Sequence, residues 1–389
     1  MEFYDKDGEK IDLEIPAHLT EKEILRINGI PESSVVKSGE KYKFLYNTIL
    51  RDLRNIKEEI IIDKEDKNEE TFFTKSIMTF NKQGELVKNI IHMSKKRFFN
   101  NIEEKFIKTI LENKLIEEND NIILGYSGGT DCSILLDLLV KNKDKLPSFK
   151  LTAVTVGSLA GTKKRNFIGS FCNSRGIENI FIEEKEIIER FNLNCNLDTC
   201  INKFLLLEKQ LSINFIQHMI KIMLEDSAKR MKANKIMLGL ERETILTSLL
   251  SFYLSGDSLL GLYKKSDGKF NYIFPLASLL KKEEYNYMIE KMKDYSELSK
   301  KDINDSKLDR LHSNDWRGSI MLLAGHLLDL FPGIDYYLEK AYYKMNLSRP
   351  QITSLKICSN CRGSFILTQN DEDICSICQI LKELKLLNE

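Results

Sequence analysis

Asn121-Ile122-Ile123-Leu124-Gly125-Tyr126-Ser127-Gly128-Gly129-Thr130-Asp131-Cys132-Ser133 is the stretch on which the fold turns. An apolar run enters two glycines and then an amphipathic segment, the pattern of a buried strand that ends in a tight bend and restarts as a helix. Glycines let the backbone turn sharply and approach an anion closely, while a new helix aims unpaired N–H groups and its positive dipole end at that anion. Ser127 and Thr130 add hydroxyl donors, and Asp131 is suited to orient a phosphate-bound metal ion. The expected anion-facing set is Tyr126, Ser127, Gly128, Gly129, Thr130, Asp131, Cys132 and Ser133. The plain alternative is a strand–turn–helix junction, for which one glycine would usually suffice.

Working outward, strand patterns at 121–126, 151–156, 180–182 and 235–238 alternate with helical ones at 132–140, 163–174, 201–232 and 241–254. That alternation predicts an α/β domain with a parallel sheet and helices on both faces. Upstream, Phe98, Ile102, Phe106, Ile110 and Leu111 recur at helical spacing and should pack on that domain. A capping box at Thr20–Glu23 opens a short helix in the first 60 or so residues, and the run from Asp63 to Glu70 is almost wholly polar. The expected organisation is a small α+β unit over 1–62, a linker over 63–94, the α/β domain over 95–280, a helical region over 281–350 and a metal ribbon with a terminal helix over 351–389.

Lys+Arg and Asp+Glu both number 58 in the 389 residues, so no global field draws the chain to nucleic acid and any RNA site must be a local patch. No apolar run approaches the ~20 residues that span a bilayer. The charged N-terminus resembles neither a secretory signal nor a transit peptide, so the expected compartment is the cytosol. Four of the eight cysteines form two Cys-x-x-Cys pairs, Cys358/Cys361 and Cys375/Cys378, with 13 residues between them. This is the spacing of a four-thiolate zinc ribbon.

The glycine loop resembles the Ser-Gly-Gly-x-Asp-Ser loop of the PP-loop ATPases, with Cys132 in place of the last serine and Ser133 beside it as a substitute donor. Phe98-Phe99 through Ile116, Phe274-Pro275-Leu276 with Lys282-Glu283 and Tyr287, and Phe331-Pro332 are similar, in order and spacing, to the tRNA thiolation branch. Within it they look most like the second, non-catalytic subunit of the cytoplasmic tRNA 2-thiolation complex.

The resemblance implies ATP and zinc as cofactors, tRNA as substrate, a catalytic PP-loop subunit as partner and a ubiquitin-related modifier as the indirect sulfur donor. The implied function is a subunit for 2-thiolation of wobble uridine U34. Departures from the catalytic members favour the non-catalytic role: Ile213 to Gln217 carries no cysteine where they have a Cys-x-x-Cys-Gly, and Gly239-Leu240-Glu241-Arg242-Glu243-Thr244 replaces their acidic segment. Presence of Asp131 keeps nucleotide binding in the reading. The alternatives are an autonomous ATP-dependent 2-thiouridine synthetase and a nucleotide-binding scaffold that does not act on RNA.

Lys95-Lys96-Arg97, Lys163-Lys164-Arg165, and Lys229-Arg230 with Lys232 and Lys235 are candidate phosphate contacts, against the plain reading of solvated helix faces. Cys172 reads as a small core hydrophobe, and Cys195 and Cys200 lack an evident partner. The histidines His18, His92, His218, His312 and His326 show no pairing in sequence, and Trp316 reads as a packing anchor.

Overall fold

The computed structural model describes residues 2–4, 10–11, 35–38, 41–44, 57–62, 70–80, 86–157, 161–207, 209–255, 263–266, 270–292, 295, single helical positions between 320 and 341, 355–366 and 373–388. The expected helix at 20–28, Trp316, Phe331-Pro332, His18, His312 and His326 lie outside them.

Four short strands come first: β1 (Glu2–Tyr4), β2 (Lys10–Ile11), β3 (Val35–Ser38) and β4 (Lys41–Phe44), in the order β2-β1-β4-β3 with β1 and β4 parallel. A three-stranded sheet follows, in which β7 (Leu86–Met93) lies between β5 (Lys57–Ile62) and β6 (Phe73–Phe80). The segment read as a linker over 63–94 is therefore largely a β6–β7 antiparallel ladder. Its apolar and β-branched residues satisfy their backbone groups by pairing, and residues 63–69 lie outside the described set.

Helix α1 (Lys95–Glu112) starts at Ser94, whose hydroxyl accepts from the Arg97 amide, and buries Phe98, Ile102, Phe106 and Ile110. Leu111, expected on that stripe, is 47% exposed instead. At 100° per residue it sits one step round from Ile110 and off the packed face.

The main sheet is built from β8 (Asp120–Gly125), β9 (Phe149–Val156), β10 (Glu178–Ile182), β11 (Lys235–Leu238), β12 (Lys264–Ser266) and β13 (Asn271–Ile273), in the order β10-β9-β8-β11-β13-β12. All neighbours are parallel except β12 with β13. Helices α2 (Thr130–Lys141), α3 (Thr162–Asn173), α4 (Glu184–Phe191), α5 (Leu197–Leu207), α6 (Lys209–Arg230), α7 (Arg242–Ser255) and α8 (Lys281–Lys291) cover it. The single helix expected over 201–232 is two helices, α5 and α6. Along β8 the side chains alternate: Ile122 and Leu124 join the core formed with α1, α2, α3 and α8, while Ile123 joins the core formed with α4 to α7 and the cysteine ribbon.

The chain leaves β8 for β9 and β10 on one side and then returns to β11 on the other. Strand order thus reverses between β8 and β11, and a crevice opens at their carboxyl ends, where ligands bind in sheets of this kind. The ribbon follows as β14 (Leu355–Ile357) and β15 (Ser364–Ile366), antiparallel, with α9 (Ser376–Glu383). No described helix is long and apolar enough to cross a membrane.

Phe106 is fully buried between α1 and the sheet. Phe106→Ala is expected to lower unfolding stability by about 3–5 kcal/mol, and Leu111→Ala by less than about 0.5 kcal/mol. Urea denaturation of the two variants checks the difference.

Candidate functional site

The glycine loop sits at the reversal point, between the end of β8 and the start of α2. Gly128 adopts φ +68°, a left-handed conformation that favours glycine, and a Cβ there would lie 2.6 Å from Ile168 Cγ1. Gly129 is the N-cap of α2 and gives no side-chain cap, so the first-turn amides of Thr130 and Asp131 have no acceptor among the described residues. The Gly129 N–H donates to Ser127 Oγ at 3.2 Å. The Gly128 carbonyl accepts from the Tyr295 hydroxyl at 3.2 Å, which fixes the bend from outside.

The loop is also fixed by what lies against it. A Cβ on Gly239, just past β11, would stand 3.0 Å from the Cys132 amide nitrogen and 3.2 Å from the Asp131 carbonyl carbon. A side chain at this position would crowd the backbone at the start of α2, which would have to give by a few tenths of an ångström. Lys164 of α3 extends over the bend from the other side, its Cε 3.5 Å from where a Gly128 Cβ would be.

Two expected contact residues lie beneath the loop. Tyr126 is 1% exposed, stacks on Phe171 and shares a 2.9 Å hydrogen bond with Ser133 Oγ. Ser133 faces the core one turn into α2 and does not replace the hydroxyl absent at Cys132. The Cys132 Sγ is 3.5 Å from the Gly125 carbonyl and 3.6 Å from Ser127 Oγ, and burial pushes its thiol up, away from a reactive thiolate.

A charged cluster adjoins the loop. Lys281, first residue of α8, pairs with Asp131 and lies 3.9 Å from Glu241, while its backbone amide donates to the Glu243 carboxylate at 3.0 Å. Burial alone would lower the Lys281 ammonium, but Glu241 and Asp131 outweigh it and hold the group protonated. Burial, reinforced by Glu241, pushes Glu243 up to about 8. Glu284 is 1% exposed, neither carboxyl oxygen meets a hydrogen-bond donor among the described residues, and burial together with the Asp131 carboxyl beside it raises it well above the usual range. One ammonium thus faces four carboxyl groups, an arrangement suited to taking a cation along with a phosphate. The loop contact on α8 is Lys281, which the sequence did not single out, while Glu283 binds Lys105 of α1 at 2.5 Å.

Cys358, Cys361, Cys375 and Cys378 are all buried, with sulfurs within 4.8 Å of one another. The Cys361 and Cys375 sulfurs are 3.8 Å apart, matching the edge of about 3.8 Å that a tetrahedral site with metal–sulfur bonds near 2.3 Å requires. His218 of α6 brings Nε2 to 3.4 Å from Cys361 Sγ and 3.6 Å from Cys375 Sγ. Sequence reasoning missed this histidine because 143 residues separate it from Cys361. Asn360 donates to the Phe191 carbonyl at 2.9 Å and further fastens the ribbon to the α/β domain.

The basic runs divide. Lys235 is buried on β11 and paired with Asp120 at 2.7 Å and Glu117 at 2.9 Å, so it is no phosphate contact. Arg165 forks onto Glu183, Arg230 pairs with Glu186 and Lys95 with Glu290. Lys96 and Lys229 remain exposed. Cys172 is fully buried, as a core residue should be.

No family model matches the chain. Over 185 residues it is 28% identical to a tRNA(Ile)-lysidine synthase of Thermosipho africanus, a match spanning 46% of this chain and 39% of that protein. Over 212 residues it is 26% identical to a tRNA-cytidine(32) 2-sulfurtransferase of Yersinia pestis, spanning 51% of this chain and 62% of that one. The chain therefore spans less than two thirds of these relatives' lengths. Among solved structures it is similar to the U34-tRNA thiolase NcsA from Methanococcus maripaludis with its [4Fe-4S] cluster, at a TM-score of 0.53 and 18% identity, covering 81% of this chain and 95% of that one. The fold is that of the PP-loop ATPases, and the sequence relatives are tRNA-modifying enzymes of that superfamily.

The sign of a pH effect follows from Glu243. Its folded pKa, about 8, lies above the unfolded value of 4.5, so the folded state holds the proton longer and stability falls as pH rises from 4.5 to about 8. Glu243→Gln is expected to flatten that slope and to be more stable than the parent at pH values above about 8. Thermal denaturation across the window checks it.

Proposed function

We propose that this PP-loop chain is a component of tRNA 2-thiolation at wobble uridine U34, supplying nucleotide and tRNA contacts beside a catalytic PP-loop subunit. The observation that carries the reading is the uncapped start of α2 behind Gly128, where the Thr130 and Asp131 amides have no acceptor among the described residues, at the carboxyl edge of a parallel sheet. ATP is the anion they suit: phosphates against the Ser127–Asp131 loop, Lys164 above them, and Asp131 with Lys281 at the far end for a phosphate-bound cation. In this scheme ATP activates the uridine C2 oxygen by adenylation, and sulfur reaches it through the partner from a thiocarboxylated ubiquitin-related modifier.

The non-catalytic assignment rests on what stands where sulfur-handling thiolates belong. Ile213, Phe215 and Ile216 of α6 are buried apolar side chains in the core. Sulfur transfer through a thiolate or cluster at that position is not available to this chain. Lys96 and Lys229, both exposed, are the tRNA-phosphate contacts in this reading. The compartment in this reading is the cytosol.

For the four cysteines we assign zinc in a structural role. A closed tetrahedral set gives one ion four thiolates and no open position for substrate. A four-iron cubane, whose irons are separate, needs its cysteine sulfurs further apart than the 4.8 Å limit seen here.

Metal analysis of the purified chain should find one zinc per molecule, lost together with ribbon structure in Cys361→Ser; iron with acid-labile sulfide would overturn the assignment. Reconstitution with tRNA, ATP and a sulfur donor should give 2-thiouridine, read by nucleoside mass spectrometry, only when a catalytic PP-loop subunit is added. Product from this chain alone would make it an autonomous synthetase. Failure to bind tRNA in either state would leave a nucleotide-binding scaffold.

A further inference from the structure

Cys195 and Cys200, without a partner in the sequence reading, meet in the fold: their sulfurs are 3.0 Å apart, and both are free thiols. The local reason is helix capping. Asn196 is the cap residue of α5, its Oδ1 accepting the Thr199 amide at 2.8 Å and its carbonyl the Cys200 amide at 3.2 Å. Cys195 therefore precedes the cap and Cys200 sits four residues past it, the two positions whose side chains pack together as a hydrophobic staple. Any two apolar residues would serve that packing. Two cysteines there add chemistry that packing does not need.

The pair is asymmetric. Cys195 is partly exposed, between exposed Asn194 and Asn196, whereas Cys200 is fully buried. Burial and the adjacent Cys195 push the Cys200 thiol up, so Cys195 is the one that meets a reagent first. Cys132, the other partly exposed cysteine among the described residues, has no second thiol within hydrogen-bonding distance among them.

From this geometry we infer that Cys195 and Cys200 form a thiol–disulfide exchange site, with Cys195 as the entry thiol and Cys200 as the resolving thiol, for small-molecule disulfides. The steps balance. The Cys195 thiolate attacks one sulfur of a disulfide RS–SR, the S–S bond breaks, and RS⁻ leaves and takes a proton from water. Cys200, on losing its proton, attacks Cys195 Sγ and expels the second RS⁻. Two protein thiols are oxidised to one disulfide, and RS–SR is reduced to two RSH. The same turn carries the contacts that hold the C-terminal tail: the Asn194 amide donates to the Leu386 carbonyl at 3.0 Å, and the Asn388 amide to the Asn192 carbonyl at 2.9 Å. The exchange site thus lies where the ribbon's tail is fastened to the α/β domain.

The test uses the full chain with its metal in place. It is exposed to oxidised glutathione, remaining thiols are alkylated, and tryptic peptide 191–203, which holds both cysteines, is weighed. The expected peptide has lost two hydrogens and takes no alkyl group, and after reduction it takes two. Cys200→Ser should stop at a glutathione adduct on Cys195, and Cys195→Ser should leave Cys200 free of glutathione. A wild-type peptide that keeps both thiols, or that halts as the Cys195 adduct, would overturn the proposal and leave the pair a packing staple; so would adduct formation at Cys200 in Cys195→Ser.

Discussion

The close approach of the end of β11 to the first turn of α2 is the constraint on which the site depends. A Cβ on Gly239 would stand 3.0 Å from the Cys132 amide nitrogen and 3.2 Å from the Asp131 carbonyl carbon, so any side chain there would have to push this backbone back by a few tenths of an ångström. This contact holds α2 so that its uncapped N-terminus opens at the strand-order reversal between β8 and β11. The Tyr295 hydroxyl on the Gly128 carbonyl and Ile168 over Gly128 complete the clamp. A helix start held this rigidly loses little further freedom when it takes an anion, which is how pre-organisation contributes to binding.

Charge around the loop is arranged at a cost to stability. Glu241, Glu243 and Glu284 are all raised by burial, and neither Glu284 oxygen meets a hydrogen-bond donor among the described residues. Unpaired buried carboxyls are destabilising, and such clusters concentrate where function demands them. Elsewhere in the domain buried charge is compensated: Asp137 of α2 is met by Lys141, Arg175 and Tyr287, and Lys235 by Asp120 and Glu117. Among the described residues, the crevice cluster thus differs from these structural ion pairs in its incomplete pairing.

The cysteine ribbon is not a loose appendage. Its cysteines belong to the same apolar core as Phe191, Phe204 and Phe215, and His218 of α6 reaches two of the sulfurs. A metal in this ribbon would therefore support the face of the sheet opposite α1, α2 and α8 and not only a terminal hairpin.

Much of the α/β domain was legible because its signals are local. The 121–126 apolar run, the glycine pair and the helix after it follow from backbone sterics, and the two Cys-x-x-Cys knuckles follow from ligand spacing. Strand–helix alternation was enough to imply a parallel sheet. Side-chain direction and long-range partnership were not legible. Tyr126 and Ser133 turned inward because their positions on β8 and α2 face the core. Lys281 meets Asp131 of the loop across 150 residues of sequence because of where α8 begins against the sheet. His218 reached the ribbon, and Cys195 reached Cys200, through packing and capping geometry that the residue types alone do not disclose. Sequence fixes which groups a segment can offer; only the tertiary structure sets which of them meet, since burial and distance depend on every other element folded against them.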